Sequence, residues 1–157
     1  MADIVVDGNV RISWVSTISN TAAPTASELN AGVALESFLM ADGVEWGTES
    51  GEVETSPLNS TQSTALVGRR TDSISLTMKQ QGKAAAPWTT FASNPSGYLV
   101  IRRAVAAATA WTATQKVTVA PCQAGFRSEV NPAANSLDKF TVKFAVTGPV
   151  VDSAAVA

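Results

Sequence analysis

The sequence predicts a mainly β domain, a β-sandwich or partial barrel with one short flanking α-helix and extended loops, and three observations predict it. Apolar residues recur at every second position in four separate segments. That period places one face of a strand on a core and the other toward water or a partner. Stretches able to form a helix are few and short, and the connections are rich in Gly, Ser, Thr and Asn. At 157 residues the chain fits one ordinary domain and can bury a core without disulfides.

The elements follow in order along the chain. Residues 1–8 carry no strand pattern and read as an N-terminal arm. Val10, Ile12 and Trp14 then alternate with Arg11 and Ser13, the first strand. Pro24-Thr25-Ala26-Ser27-Glu28-Leu29-Asn30-Ala31-Gly32 predicts a turn or so of helix that stops at Gly32. Residues 33–40 are more continuously apolar and predict a strand covered on both faces. Residues 41–63 are long for a connection in a compact domain. They predict a long loop, or a short hairpin pairing Val44-Glu45-Trp46 with Val53-Glu54-Thr55. Ile74, Leu76 and Met78 alternate with Ser73, Ser75, Thr77 and Lys79, a strand again.

Residues 84–93 are the better helix candidate. Pro87 suits a first turn, Trp88 and Phe91 share a face at i,i+3, and Asn94-Pro95-Ser96-Gly97 ends the element. Residues 98–103 predict a second doubly covered strand. Residues 104–113 are Ala-rich, but Thr109, Trp111 and Thr112 favour a loop between strands. Val117 and Val119 flank Thr118, and Phe140, Val142, Phe144 and Val146 alternate with Thr141, Lys143 and Ala145 to close the series. Residues 148–157 read as an extended C-terminal arm, and both arms flank the strand core, so each is expected to order only on assembly. No internal repeat or domain boundary interrupts residues 1–157, a single domain.

Chemistry is hard to find in this sequence. There is no histidine, which removes the commonest general base and the commonest transition-metal ligand. The single cysteine, Cys122, follows Pro121 and reads as a small buried hydrophobe; it excludes an intrachain disulfide and argues against structural zinc. Neither GxGxxG nor GxxxxGK[ST] occurs. Glu49 with Glu52, or Glu52 with Glu54, could pair as glycosidase carboxylates do, but they lie in a polar stretch with nothing to raise a pKa. The expectation is no enzyme, no cofactor and no metal. A sequence pI near 5.0, with basic residues in isolated pairs, argues against nucleic-acid binding. The start Met1-Ala2-Asp3 lacks a basic signal region, and no run approaches a membrane span, so synthesis in a cytoplasm is expected.

Composition and charge point instead to assembly. Charged residues make up 15% and hydrophobic residues 45%, a surface suited to being covered by copies of itself. Residues 12–68 contain Glu28, Glu36, Asp42, Glu45, Glu49, Glu52 and Glu54 with no Lys or Arg, a formal −7. Residues 69–143 hold ten basic residues against Asp72, Glu129 and Asp138, a formal +7. Either the two halves interleave and neutralise each other locally, or an acidic surface of one subunit meets a basic surface of the next. In the second case Asp42, Glu45, Glu49, Glu52 and Glu54 are the acidic contact candidates, with Arg69, Arg70, Arg102 and Arg103 as acceptors. Trp14 and Trp88 read as core, while Trp46, inside the acidic stretch, is a contact anchor.

The order of segments carries a resemblance. The stretch from Ala23 to Gly32, followed by an apolar strand, resembles the opening of the major tail tube proteins of siphophages infecting actinobacteria and related hosts. Gly97-Tyr98-Leu99-Val100-Ile101-Arg102-Arg103 is similar to that family's strand after its short helix. Gln115-Lys116-Val117-Thr118-Val119-Ala120-Pro121-Cys122 is similar to its long strand, although an aliphatic residue often stands where Cys122 does. Phe140 to Gly148 is similar to its closing strand. The resemblance implies a virion structural protein, assembled in the host cytoplasm, whose hexameric rings stack into a hollow tube. The tube would house a tape measure protein, meet terminator and initiator proteins, and later pass double-stranded DNA without binding it specifically. It implies a tail-tube-type fold whose sheets join between subunits. Ser73, Ser75, Thr77 and Thr141 are then the candidates for a neutral lumen wall, with Lys79 and Lys143 as its difficulty, since fixed cations would retain phosphates. The rival readings are a monomeric β-sandwich binding module and another phage ring protein such as a tail terminator.

Overall fold

The computed structural model describes residues 1–157. The chain runs through β1 (Val10–Val15), α1 (Ala26–Asn30), β2 (Val33–Ala34), β3 (Leu39–Glu54), β4 (Ala65–Lys79), β5 (Ser96–Arg103), β6 (Lys116–Glu129), β7 (Lys139–Val146) and β8 (Val151–Ala155). The strands form one 8-stranded sheet in the order β2-β1-β5-β6-β7-β4-β3, with β8 paired to β6 off that path. All pairings are antiparallel.

The sheet curls into a partial barrel. Trp14 on β1 and Phe144 on β7 lie three strand steps apart, roughly 14 Å across a flat sheet, yet their ring centroids are 5.6 Å apart. Phe91 fills the angle between them, edge-on to Trp14 at 5.4 Å and to Phe144 at 5.5 Å. The alternating apolar residues supply this concave core. Ile12, Trp14, Leu99, Ile101, Ala120, Cys122, Phe140, Val142, Ile74, Leu76 and Met78 are all buried in one cluster.

A second, smaller cluster covers the opposite face of β1, β5 and the first half of β6. Val15, Val100, Val117 and Val119 project outward there and are buried under Leu29 of α1, Trp111, Ala154 of β8 and Val156. Residues 98–103 are therefore strand covered on both faces, as their continuous apolarity predicts.

Helix α1 is held by a capping box. Thr25 accepts from the Glu28 amide, and the Glu28 carboxylate accepts from the Thr25 amide at 2.9 Å. Gly32 follows the cap with no left-handed φ; a Cβ there would stand 2.8 Å from the Trp14 carbonyl, so close approach to β1 is what requires glycine.

Four expectations are corrected. Residues 84–93 form no helix but a succession of turns, with mixed bonds such as Thr89 N–H to Ala85 O and Thr90 N–H to Pro87 O. Two β-branched threonines in so short a segment oppose helix formation, whereas turns still present Trp88 and Phe91 to the core. Residues 33–40 are not one strand: β2 covers only Val33–Ala34, and the chain turns before β3. Val44-Glu45-Trp46 and Val53-Glu54 do not face each other across a short hairpin. Both lie on the 16-residue strand β3, which pairs with β4 around residues 55–64. The last residues do not wait for assembly: β8 pairs with β6, and the amides of Val156 and Ala157 bond to Gln115 O and Pro24 O. Strands β7 and β8 lie in series along β6, interrupted at Gly148-Pro149, where proline cannot donate to the ladder.

Candidate assembly surface

The two clusters leave one part of the sheet uncovered. β3, β4 and β7, with the second half of β6, bury their concave side only; no segment packs on their outer face. Register places Glu45 opposite Ser75, Ser75 opposite Lys143, and Thr77 opposite Thr141 on that face. Thr77 and Thr141 join hydroxyls at 3.0 Å. Ser75, Thr77 and Thr141 thus form a patch of hydroxyls on a bare four-stranded sheet, with Ser73 just beyond it where β4 pairs with β3 alone, Lys143 beside it and Lys79 opposite Lys139 at its rim.

Beyond Ile74, β4 leaves β7 and continues with β3 alone as a two-stranded ribbon over residues 47–54 and 65–73. From Ile74 to Ala65 the ribbon extends roughly 30 Å at strand rise. Its far end exposes Val53, Leu58, Leu66 and Val67.

An ion-pair latch holds the root of this ribbon. The Arg70 guanidinium donates to both oxygens of Asp152 on β8 at 2.6 and 3.0 Å and to both oxygens of Asp72 at 2.8 and 3.0 Å. Asp72 also accepts from Thr48 Oγ1 at 2.7 Å and, at 3.5 Å, from Trp46 Nε1. The hydrogen bonds from Arg70 hold both carboxyls below the usual aspartate range and raise the pKa of Arg70 itself.

The charge candidates separate into two groups. Asp42, Glu45, Glu49, Glu52 and Glu54 all lie along β3 and make no ion pair within the chain. Arg69 and Arg103 are exposed and also free of ion pairs. Arg70 is instead committed to the latch. Arg102 is 0% exposed, stacks on Trp111 at 4.9 Å and donates to the carbonyls of Ala106, Thr109 and Ala110. It folds the 104–113 loop and is withdrawn from the contact surface. Burial, then the nearby Arg11, pulls its pKa below the ordinary arginine value. Trp46 also moves: it packs half-buried against the main core, and no longer serves as an exposed anchor.

Sequence reasoning missed Phe126. It is 87% exposed at a bulge where Gly125 and Phe126 stand opposite Lys143, between the pairs Ala124–Phe144 and Arg127–Val142. A Cβ at Gly125 would lie 2.6 Å from the Lys143 carbonyl, so the bulge requires glycine. The signal was present: Gly-Phe interrupts the alternation of the long strand.

Cys122 sits in the core, and burial pushes its thiol up to about 12. It packs as a small hydrophobe.

A family model described as phage tail tube protein matches residues 1–157. No sequence match is found among curated proteins. Among solved structures, the chain is similar to a component of the cryo-EM structure of the anti-feeding prophage (AFP) baseplate, 6-fold symmetrised. The TM-score is 0.59 at 12% identity, covering 96% of this chain and 97% of that one, a likeness of fold.

Proposed function

Because the chain belongs to the phage tail tube protein family, we propose that it is the brick of a hollow tube, assembled from stacked hexameric rings in the host cytoplasm and carried in the virion tail. The observation that carries this reading is the bare, hydroxyl-rich face of β3, β4, β7 and β6 on a chain that covers the outer face of its other strands. A polar face by itself suits water as well as a partner, but open edges at β3 and the second half of β6 are what a lone chain would be expected to blunt. A ring completes the edges and turns that face to the bore.

The dimensions fit. Six copies giving four strands each, spaced about 4.8 Å, close a barrel roughly 37 Å across, more with tilt. Side chains reaching about 5 Å inward leave a bore of roughly 27 Å, wider than duplex DNA at about 20 Å. The tube houses the tape measure protein and then conducts DNA past Ser73, Ser75, Thr77 and Thr141, which offer no fixed charge to phosphate. Terminator and initiator proteins close its ends. The ribbon formed by β3 and β4, with apolar residues at its tip, reaches the next ring.

Electron microscopy of concentrated protein tests this. Rings or tubes with sixfold symmetry and a bore wider than duplex DNA are expected. A different ring number, or a bore too narrow for a duplex, contradicts the reading.

A further inference from the structure

Arg102 is buried without a carboxylate partner. Its register partner across β1 and β5 is Arg11, so two arginines stand directly opposite each other on the outer face, where like charges repel. Trp111 covers both, its ring centroid 5.3 Å from the Arg11 guanidinium carbon and 4.9 Å from that of Arg102. The two guanidinium groups also meet at one carbonyl: Arg11 Nη1 and Arg102 Nη2 each donate to Thr109 O at 2.8 Å. The other acceptors of Arg102 are Ala106 O, Ala110 O and Gln115 Oε1, all of them neutral.

The one carboxylate nearby is Glu36, whose Oε1 lies 3.8 Å from Arg11 Nε, an ion pair too long for a hydrogen bond. Two arginines and one glutamate leave the cluster a formal +1. Buried charges are ordinarily paired, and buried N–H groups ordinarily find acceptors. Here Arg11 Nε, Arg102 Nε and Trp111 Nε1 are buried with no acceptor in the chain. Two of the three belong to fully enclosed side chains, Arg102 at 0% and Trp111 at 2% exposure. Water can satisfy single N–H groups, or Glu36 Oε2, which is also unpartnered, but it brings no charge.

Independently of the ring reading, we propose that Arg11 and Arg102 hold a small monovalent anion of chloride size, seated between their Nε atoms as the counter-ion of this buried pair. Charge and space select that class. A divalent oxyanion such as sulfate overshoots the formal +1 and faces Glu36. A ligand of several heavy atoms has to displace Trp111 or the carbonyls already bound to Arg102. Entry is from the side of Arg11 and Glu36, whose side chains are 18% and 24% exposed. The anion fastens to the β1–β5 pair the 104–113 loop, which Arg102 folds and which the Ala107 amide ties to Gly8 O.

Exchanging chloride for gluconate at constant ionic strength tests the site, because general screening stays fixed while the small anion is withdrawn. Wild type is expected to melt higher in chloride, with a shift that follows the filling of one site, and to exchange the amides of residues 104–113 more slowly. Two variants move the affinity in opposite directions. Arg11→Met keeps a stem over Trp111 but removes one guanidinium, and is expected to weaken chloride binding at least about tenfold. Glu36→Gln removes the carboxylate that repels the anion, and is expected to tighten binding on the order of tenfold. In crystals soaked in bromide, an anomalous peak is expected between Arg11 and Arg102. No dependence on chloride, a dependence unchanged in folded Arg11→Met, weaker binding in Glu36→Gln, or water alone between the two arginines overturns the site. Each of these outcomes leaves the ring reading where it stood.

Discussion

Glu28 illustrates how single residues set local structure here. Its carboxylate accepts from the amide of Thr25, then from the amide and hydroxyl of Ser19, which pulls its pKa down to about 2. The sign follows from that depression. Its stabilising contribution is complete above the ordinary glutamate value near 4.5, falls as pH drops, and is gone below about 2. The E28Q variant is therefore expected to melt lower than wild type at pH 7 and to converge with it near pH 2. Thermal melts at several pH values check this; a constant gap would contradict it. Core and bare-face residues should also part sharply. Phe140→Ala removes a fully buried ring and should cost about 3–5 kcal/mol. Ser75→Ala on the open face should change monomer stability by no more than about 0.5 kcal/mol, as measured by denaturant unfolding. At this scale the sequence was partly legible. Alternation identified Phe140 and Ser75 with their correct faces. It could not identify Arg102, because a fully buried arginine held by loop carbonyls leaves no periodic mark distinguishing it from exposed Arg103.

The β3–β4 ribbon is the element on which the proposed stacking rests. Its length escaped a sequence reading for a physical reason: with no core beneath residues 47–54, nothing selects apolar residues there, and a strand stabilised only by its partner reads as loop. The same logic misassigned residues 84–93, where turns and a helix both present i,i+3 aromatics to a core. The latch at the ribbon's root gives a direct prediction. Arg70→Ala removes the link between β4 and β8 and should speed amide exchange in residues 65–73 on the order of tenfold, with little change around β5. Hydrogen exchange by mass spectrometry reads this, and unchanged protection would mean that backbone pairing alone fixes the ribbon. Both aspartates have depressed pKa values, so the latch is fully formed above the usual aspartate range and lost as pH falls through those lowered values. Shortening the ribbon by joining Gly47 to Ser73 with a tight turn should leave a folded chain that forms rings but does not stack them. Loss of rings as well would show that the ribbon also serves the ring seam.

At the scale of the whole molecule, the fold divides its labour. One part of the sheet has both faces buried and makes the chain stable; the other has one face bare and both edges open. Fold class was legible because period-two alternation is a local signal. The open edges were not, since they are defined by which strands neighbour which, and that depends on the order of a sheet assembled from distant segments. The −7 and +7 halves of the chain do interleave in space, yet the carboxylates of β3 remain unpaired within one copy. A cryo-EM reconstruction of the assembled protein tests the central claim most directly. The account predicts backbone pairing that runs unbroken from one copy into the next, with Ser75, Thr77 and Thr141 facing the bore. Sheets that end within each copy, or those hydroxyls turned away from the bore, would contradict it.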